Sequence, residues 1–162
     1  MTREEMSQIF ALMLLAWPNA PMLRPDSLEA TINLWTFCLP EVDFLTGQMA
    51  MIQLCRKCHY PPSIAQMCET ADSIQKELEG EIHHALLSMR NPCYRGYGNP
   101  KRVARAVALM GGEERLFIPV DEHTERFDIE GFRGAYRQVC QEETQRTIQA
   151  LYPHGGNPKR LQ

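Results

Sequence analysis

No glycine in this 162-residue chain is followed directly by lysine, which excludes a Walker A loop, whose lysine follows the last glycine of the phosphate cradle. A nucleotide-hydrolysing motor or ATPase-type loader is excluded with it. Long hydrophobic runs are also missing. The best stretch, Phe10 to Trp17, follows Glu4 and Glu5 instead of a basic segment and stops at Pro18, well short of the about 20 apolar residues that span a bilayer. It reads as a buried helix. Without export, the six cysteines are expected as reduced thiols in a cytoplasmic protein with no membrane partner. Basic residues are not in excess: 17 Lys/Arg stand against 20 Asp/Glu, a formal net charge of -3. Residues 99–162 are the most charge-dense, yet they balance 10 against 9, a weak electrostatic case for nucleic acid. No strand pair, internal repeat or low-complexity tract stands out, and no Ser/His/Asp or Cys/His arrangement for nucleophilic catalysis can be read.

What the chain does have is helical periodicity punctuated by proline. About two thirds of it reads as helix, against a usual third. Thr2 and Glu5 fit a capping box, and Met6, Ile9, Phe10, Met13 and Leu14 recur at helical spacing up to Trp17-Pro18. A second helix is expected from an Asp26/Glu29 capping start, carrying Leu28, Ile32, Trp35 and Leu39 inward until Pro40 ends it. A third runs from Glu41 through Leu45, Met49, Ile52 and Cys55, with Met51, Leu54 and Cys58 widening its apolar face. Gly47 weakens it without breaking it.

Tyr60-Pro61-Pro62 then removes two backbone donors and fixes φ, and Ser63 with Gln66 forms a new capping box. Behind it Ile64, Met67, Ala71, Ile74, Leu78, Ile82, Ala85 and Met89 step by three and four, the signature of a long helix with one packing seam. Gly80 is its expected bend. Asn91 to Asn99 is turn-rich and divides a four-helix N-terminal domain (1–90) from a C-terminal helical unit (100–152), followed by a flexible tail (153–162). In that unit Asn99-Pro100 starts a helix that ends at Gly111-Gly112. Residues 113–123 read as a short helical turn and loop, and a last helix begins near Thr124. The fold class is all-α.

Several constellations invite chemistry. Cys55-Arg-Lys-Cys58-His59 has the spacing of c-type haem attachment, but that chemistry requires export. Cys55, Cys58, His59 and Cys68 offer zinc four ligands, although structural sites usually join two separated pairs, and the first two thiols continue an apolar face. His83 and His84 are adjacent, so they lack the i, i+4 spacing of a helical ligand pair. Glu77, Glu79 and Glu81 read as a solvated face instead of acid/base groups. No catalytic residue, metal or cofactor is expected. Arg95, Lys101, Arg102 and Arg105, interleaved with Tyr94 and Tyr97, form a candidate surface for nucleic acid or an acidic protein.

A tryptophan-bearing helix followed by Pro61-Pro62-Ser63-Ile64-Ala65, with Trp35 at the matching position, resembles the phage replicative-helicase loader/inhibitor family over residues 3–68. Residues 99–140 are more loosely similar to the C-terminal part of such proteins through Pro100, Val103, Ala106, Gly111, Gly112, Leu116, Phe132, Arg133 and Tyr136. The resemblance implies a non-enzymatic phage or prophage replication accessory protein. Such a protein binds the hexameric replicative helicase, restrains it and helps deliver it to an origin-bound initiator. Arg102, Arg105, Phe132, Arg133 and Tyr136 are the partner-binding residues it points to. The chain departs from the family in its long seam helix, its cysteine-bearing third helix and a C-terminal half with enough periodic apolar residues to fold. A helical DNA-binding or regulatory protein using the Arg95–Arg105 region is the first alternative, a zinc module the second.

Overall fold

A computed structural model describes residues 1–90 and 99–151. Tyr94, Arg95 and Tyr97 of the candidate nucleic-acid surface, most of the turn-rich 91–99 stretch and the tail lie outside the described residues. The chain forms two compact units, with Met1–Lys76 in the first and Glu77–Leu151 the second, so the change from one to the other falls inside the long helix, ahead of the turn-rich stretch.

The first unit begins with α1, Arg3–Ala16. Its capping box is formed as the sequence requires: Glu5 N donates to Thr2 Oγ1 at 3.2 Å and Thr2 N donates to Glu5 Oε2 at 2.7 Å. A 3₁₀ turn at Pro21–Leu23 leads into α2, Pro25–Cys38. Here the expected Asp26/Glu29 cap is corrected. Pro25 occupies the first helical position behind Arg24, with no side-chain cap, because a proline there gives up only an N–H that a helix start leaves orphaned anyway. Asp26 falls in the first turn, where the helix dipole favours it. Helix α3, Phe44–Lys57, starts later than Glu41 because Asp43 takes the cap, accepting from Leu45 N at 3.1 Å and Thr46 N at 3.2 Å.

Helix α4, Ile64–Arg90, is one uninterrupted helix through Gly80. At 1.5 Å per residue it is about 40 Å long. Its seam is buried as read: Met67, Ala71, Ile74, Leu78, Ile82 and Ala85 are all at most 5% exposed, whereas Ile64 and Met89 at its ends are half-buried. The core of the first unit joins Met6, Ile9, Phe10 and Met13 of α1 to Trp35, Leu39, Met51 and Met67. Trp35 meets Phe10 edge to face, with centroids 5.3 Å apart, a geometry that suits the ring quadrupoles.

The second unit adds α5, Pro100–Leu109, capped by Asn99. Gly111 and Gly112 follow at φ 96° and 104°, left-handed values that side chains with a Cβ rarely adopt, and they turn the chain into a 3₁₀ turn at Glu113–Leu116. The expectation of helix and loop alone is corrected next. Strand β1, Phe117–Pro119, pairs antiparallel with β2, Glu125–Phe127, placing Phe117 opposite Phe127, and Val120 N closes the turn onto Thr124 O at 2.8 Å.

The last helix, α6, Ile129–Leu151, therefore starts later than Thr124. Asp128 holds its first turn by accepting from Gly131 N at 2.9 Å, and any Cβ at position 131 would land on that carboxylate. Helix α5 packs along α6, with Ala106, Leu116, Phe127, Phe132, Tyr136, Val139 and Cys140 buried. Six helices and one two-stranded hairpin leave the described chain essentially all-α.

Candidate functional site

The proline-rich start of α4 is a structural junction. Cys58 leaves the helical region at ψ 134°, as a chain approaching two prolines must. Pro62 is buried and Pro61 half-buried. Ser63 N donates to Gln66 Oε1 at 2.8 Å while Gln66 N donates to Ser63 Oγ at 3.2 Å, which satisfies two donors reciprocally. Met67 then enters the core, while Ile64 stays half-buried and Ala65 exposed. Trp35 is also a core residue, 2% exposed. The surface these residues support is the outer face of α2. Leu34 is 53% and Phe37 83% exposed, Cys38 lies beside them exposed, and no residue from Ala30 to Cys38 carries a charge.

The possible zinc ligands are not brought together. Among the described residues no group of three or more His, Cys, Asp or Glu side chains is placed to hold a metal ion. Burial pushes the Cys55 thiol up to about 11, and burial followed by the nearby Asp72 charge raises Cys68. Both thiols are thereby held protonated, in the form that neither attacks nor ligates.

In the second unit the five residues read as partner contacts do converge, but on one another's neighbourhood and not on solvent. Arg102 donates from Nε to Glu143 Oε2 at 2.8 Å and from Nη1 to Glu81 Oε2 at 2.7 Å. Tyr136 Oη donates to the same Glu81 oxygen at 2.8 Å. Arg105 pairs with Glu142 and Glu143, and Arg133 with Glu79 at 2.9 Å. Phe132 and Tyr136 have no exposed surface.

Burial opposes the charge on Arg102, but its hydrogen bonds to Glu143 and Glu81 outweigh that and raise its pKa. The Tyr136 phenol is raised by burial and then by the carboxylate it serves. As anchors for a partner these residues are corrected: their side chains tie α4, α5 and α6 to each other. Glu79 and Glu81, read as a solvated face, are the α4 half of that network. The same pairings neutralise Arg102 and Arg105, which removes most of the cationic surface the DNA-binding reading used.

Sequence reasoning missed Glu142 and Glu143 and the hairpin. The one available signal for the first was the matching i, i+3 spacing of Arg102 and Arg105. Between the last turns of α4, α5 and the hairpin lies a cavity of about 710 Å³, lined by Met89, Val103, Val107, Leu116, Phe117 and Phe127 among others. No helix among the described residues is long and apolar enough to cross a membrane.

Comparison with known proteins bears on the first unit. No curated protein and no solved structure matches the chain. A family model for the N-terminal domain of the phage helicase loader/inhibitor proteins matches residues 1–68, a span that takes in α1, α2, α3 and the proline-capped start of α4. The N-terminal part of this chain therefore belongs to the phage helicase loader/inhibitor family.

Proposed function

We propose that the chain is a non-enzymatic accessory protein of phage or prophage DNA replication, acting in the cytoplasm. On this reading it binds the hexameric replicative helicase, restrains it, and helps deliver it to an initiator bound at the origin. The observation that carries this is the family match over residues 1–68. The physical support is that the matched domain is fully cored and still leaves Leu34 and Phe37 standing out on an uncharged helix face. A protruding aromatic with a neighbouring aliphatic residue is the kind of anchor that dominates protein–protein binding energy, whereas a lone exposed leucine would need no explanation.

The test is association of the purified chain with its cognate hexameric helicase, together with the helicase ATPase rate. Binding with a depressed rate is expected. Phe37→Ser is expected to weaken binding by about tenfold or more, the size of a hot-spot loss. A chain that neither associates with the helicase nor alters its ATPase rate ends this reading.

A further inference from the structure

The second unit carries its own surface, which the helicase reading does not use. Phe117, Ile118 and Val120 lie within four residues of each other on the hairpin, 45%, 49% and 61% exposed. Clustered exposure of this kind marks interaction sites in soluble proteins, whereas isolated exposed apolar residues do not. Phe117 also lines the cavity of about 710 Å³, whose floor is Leu116 and Phe127 and whose far wall is Val103 and Val107 of α5. That volume lies within the range of about 300–1,000 Å³ typical of built ligand sites.

The charge around this surface has one sign. Glu113, Glu114, Asp121, Glu122 and Glu125 are all exposed, against Arg115 and Arg126, and among the described residues none of the five acids is in an ion pair. Glu79, Glu81, Glu142 and Glu143 in the same unit contrast with this, since each is matched to an arginine. The free negative charge of the unit is thus gathered beside its largest opening and its most exposed apolar residues.

We infer that the hairpin and its adjoining groove form a docking surface for a cationic amphipathic helix of a protein partner. Apolar residues of that helix fill the groove against Phe117, Ile118 and Val103, and its Lys or Arg residues face Glu113, Glu114 and Glu122. A nucleic-acid backbone or an anionic lipid surface is repelled by the same acids. Addition of a partner strand along β1 is blunted because Pro119 supplies no N–H in a three-residue strand. The acids act mainly through encounter rate and choice of partner, the apolar groove through affinity.

The experiment uses the full chain, isotope-labelled for NMR, and three synthetic peptides. One is a Leu/Lys amphipathic helix, one its Leu/Glu counterpart, and one a Lys/Ser peptide of equal charge without an apolar stripe. The Leu/Lys peptide is expected to bind, more weakly at high salt, with shifts confined to α5 and residues 113–127. Ile118→Ser with Val120→Ser is expected to lower its affinity about tenfold, and Glu113→Lys with Glu122→Lys about fivefold with loss of the salt dependence. These positions are exposed, and unchanged thermal unfolding checks that the variants fold.

Equal binding of the Leu/Glu or Lys/Ser peptide, shifts centred elsewhere, or no binding of the Leu/Lys peptide overturns the inference. Helicase association is read separately. A chain that takes the peptide but ignores helicase overturns the proposed function alone, and a chain that binds helicase but not the peptide overturns this inference alone.

Discussion

The two units reach stability by different chemistry. The first is a methionine and aromatic core: Met6, Met13, Met51 and Met67 surround the Phe10–Trp35 pair. The ion pair recorded within it, Arg3–Glu29, has side chains 56% and 75% exposed, where solvent leaves little net energy. The second unit also has a core, but its helices are joined through half-buried charges. Glu81 receives Arg102 and Tyr136, and Glu143 receives Arg102 and Arg105. A soft apolar core tolerates neighbouring change by repacking, whereas a charge network fixes register and is costly when one member is removed. The first unit therefore has surface to spare for a partner on α2, and the second has already committed the arginines and aromatics that would otherwise serve as anchors.

The largest expected effect breaks the first side of this contrast. Trp35→Ala removes a fully buried aromatic and its edge-to-face partner contact, at a cost of about 3–5 kcal/mol. Native-state hydrogen exchange is expected to show amides of α1, α2 and α3 losing protection while those of α5 and α6 keep theirs. Equal loss in both units would mean that they do not respond separately.

On the second side, Glu81→Gln keeps the shape and removes the charge that serves Arg102 and Tyr136. The pairs are only partly buried, with side-chain exposures of 20% and 34%. The cost is therefore below that of a fully buried bridge, about 1–3 kcal/mol. Hydrogen exchange in α5 and α6 across a denaturant series measures it. Unchanged protection there would reduce the network to decoration.

The pH response sharpens the comparison further. Burial raises the Cys140 thiol from 9.0 to about 11, and Tyr136 is raised in the same unit. A group with a raised folded pKa contributes in full below its unfolded value. Its contribution is lost as pH climbs through the folded value, because the unfolded state releases its proton first. Stability of the second unit is thus expected to fall between pH 9 and 11 by about 1–2 kcal/mol from the thiol, after allowing for solvent screening. Cys140→Val, similar in volume and unable to ionise, is expected to flatten that slope. Half-buried Cys55, also raised to about 11, gives the first unit a shallower slope of the same sign.

How much of this could be read beforehand follows the same division. Periodicity exposes whatever is local: the α4 seam from Met67 to Ala85, the inward Trp35 and the capping boxes at Thr2 and Ser63 are all determined within a few residues of themselves. The family signal lies in that local material too. Partners of the charged residues are not local. Arg102 meets Glu81 and Glu143 across 21 and 41 positions, a pairing that only the packing of three helices decides, so a cationic helix face looked free when it was already matched. Three-residue strands are too short to show alternation, which hid the hairpin. Asp43 outcompeted Glu41 for the α3 cap because a short carboxylate reaches two N–H groups of the first turn that a glutamate at the wrong register cannot.

The smallest effect concerns the junction that joins the two kinds of evidence, the capped start of α4. Ser63→Ala deletes the hydroxyl that accepts from Gln66 N but leaves Pro61 and Pro62 to fix the approach of the chain, so the cost is about 1 kcal/mol, the usual worth of an N-cap. The loss belongs to the first turn alone, since Met67 is held by the core regardless. Exchange at residues 64–67 is expected to rise while Trp35 fluorescence stays native. A loss as large as that of Trp35→Ala would show that the serine, and not the paired prolines, sets the direction of the long helix, and would make the cap, with the methionine core, a determinant of the first unit.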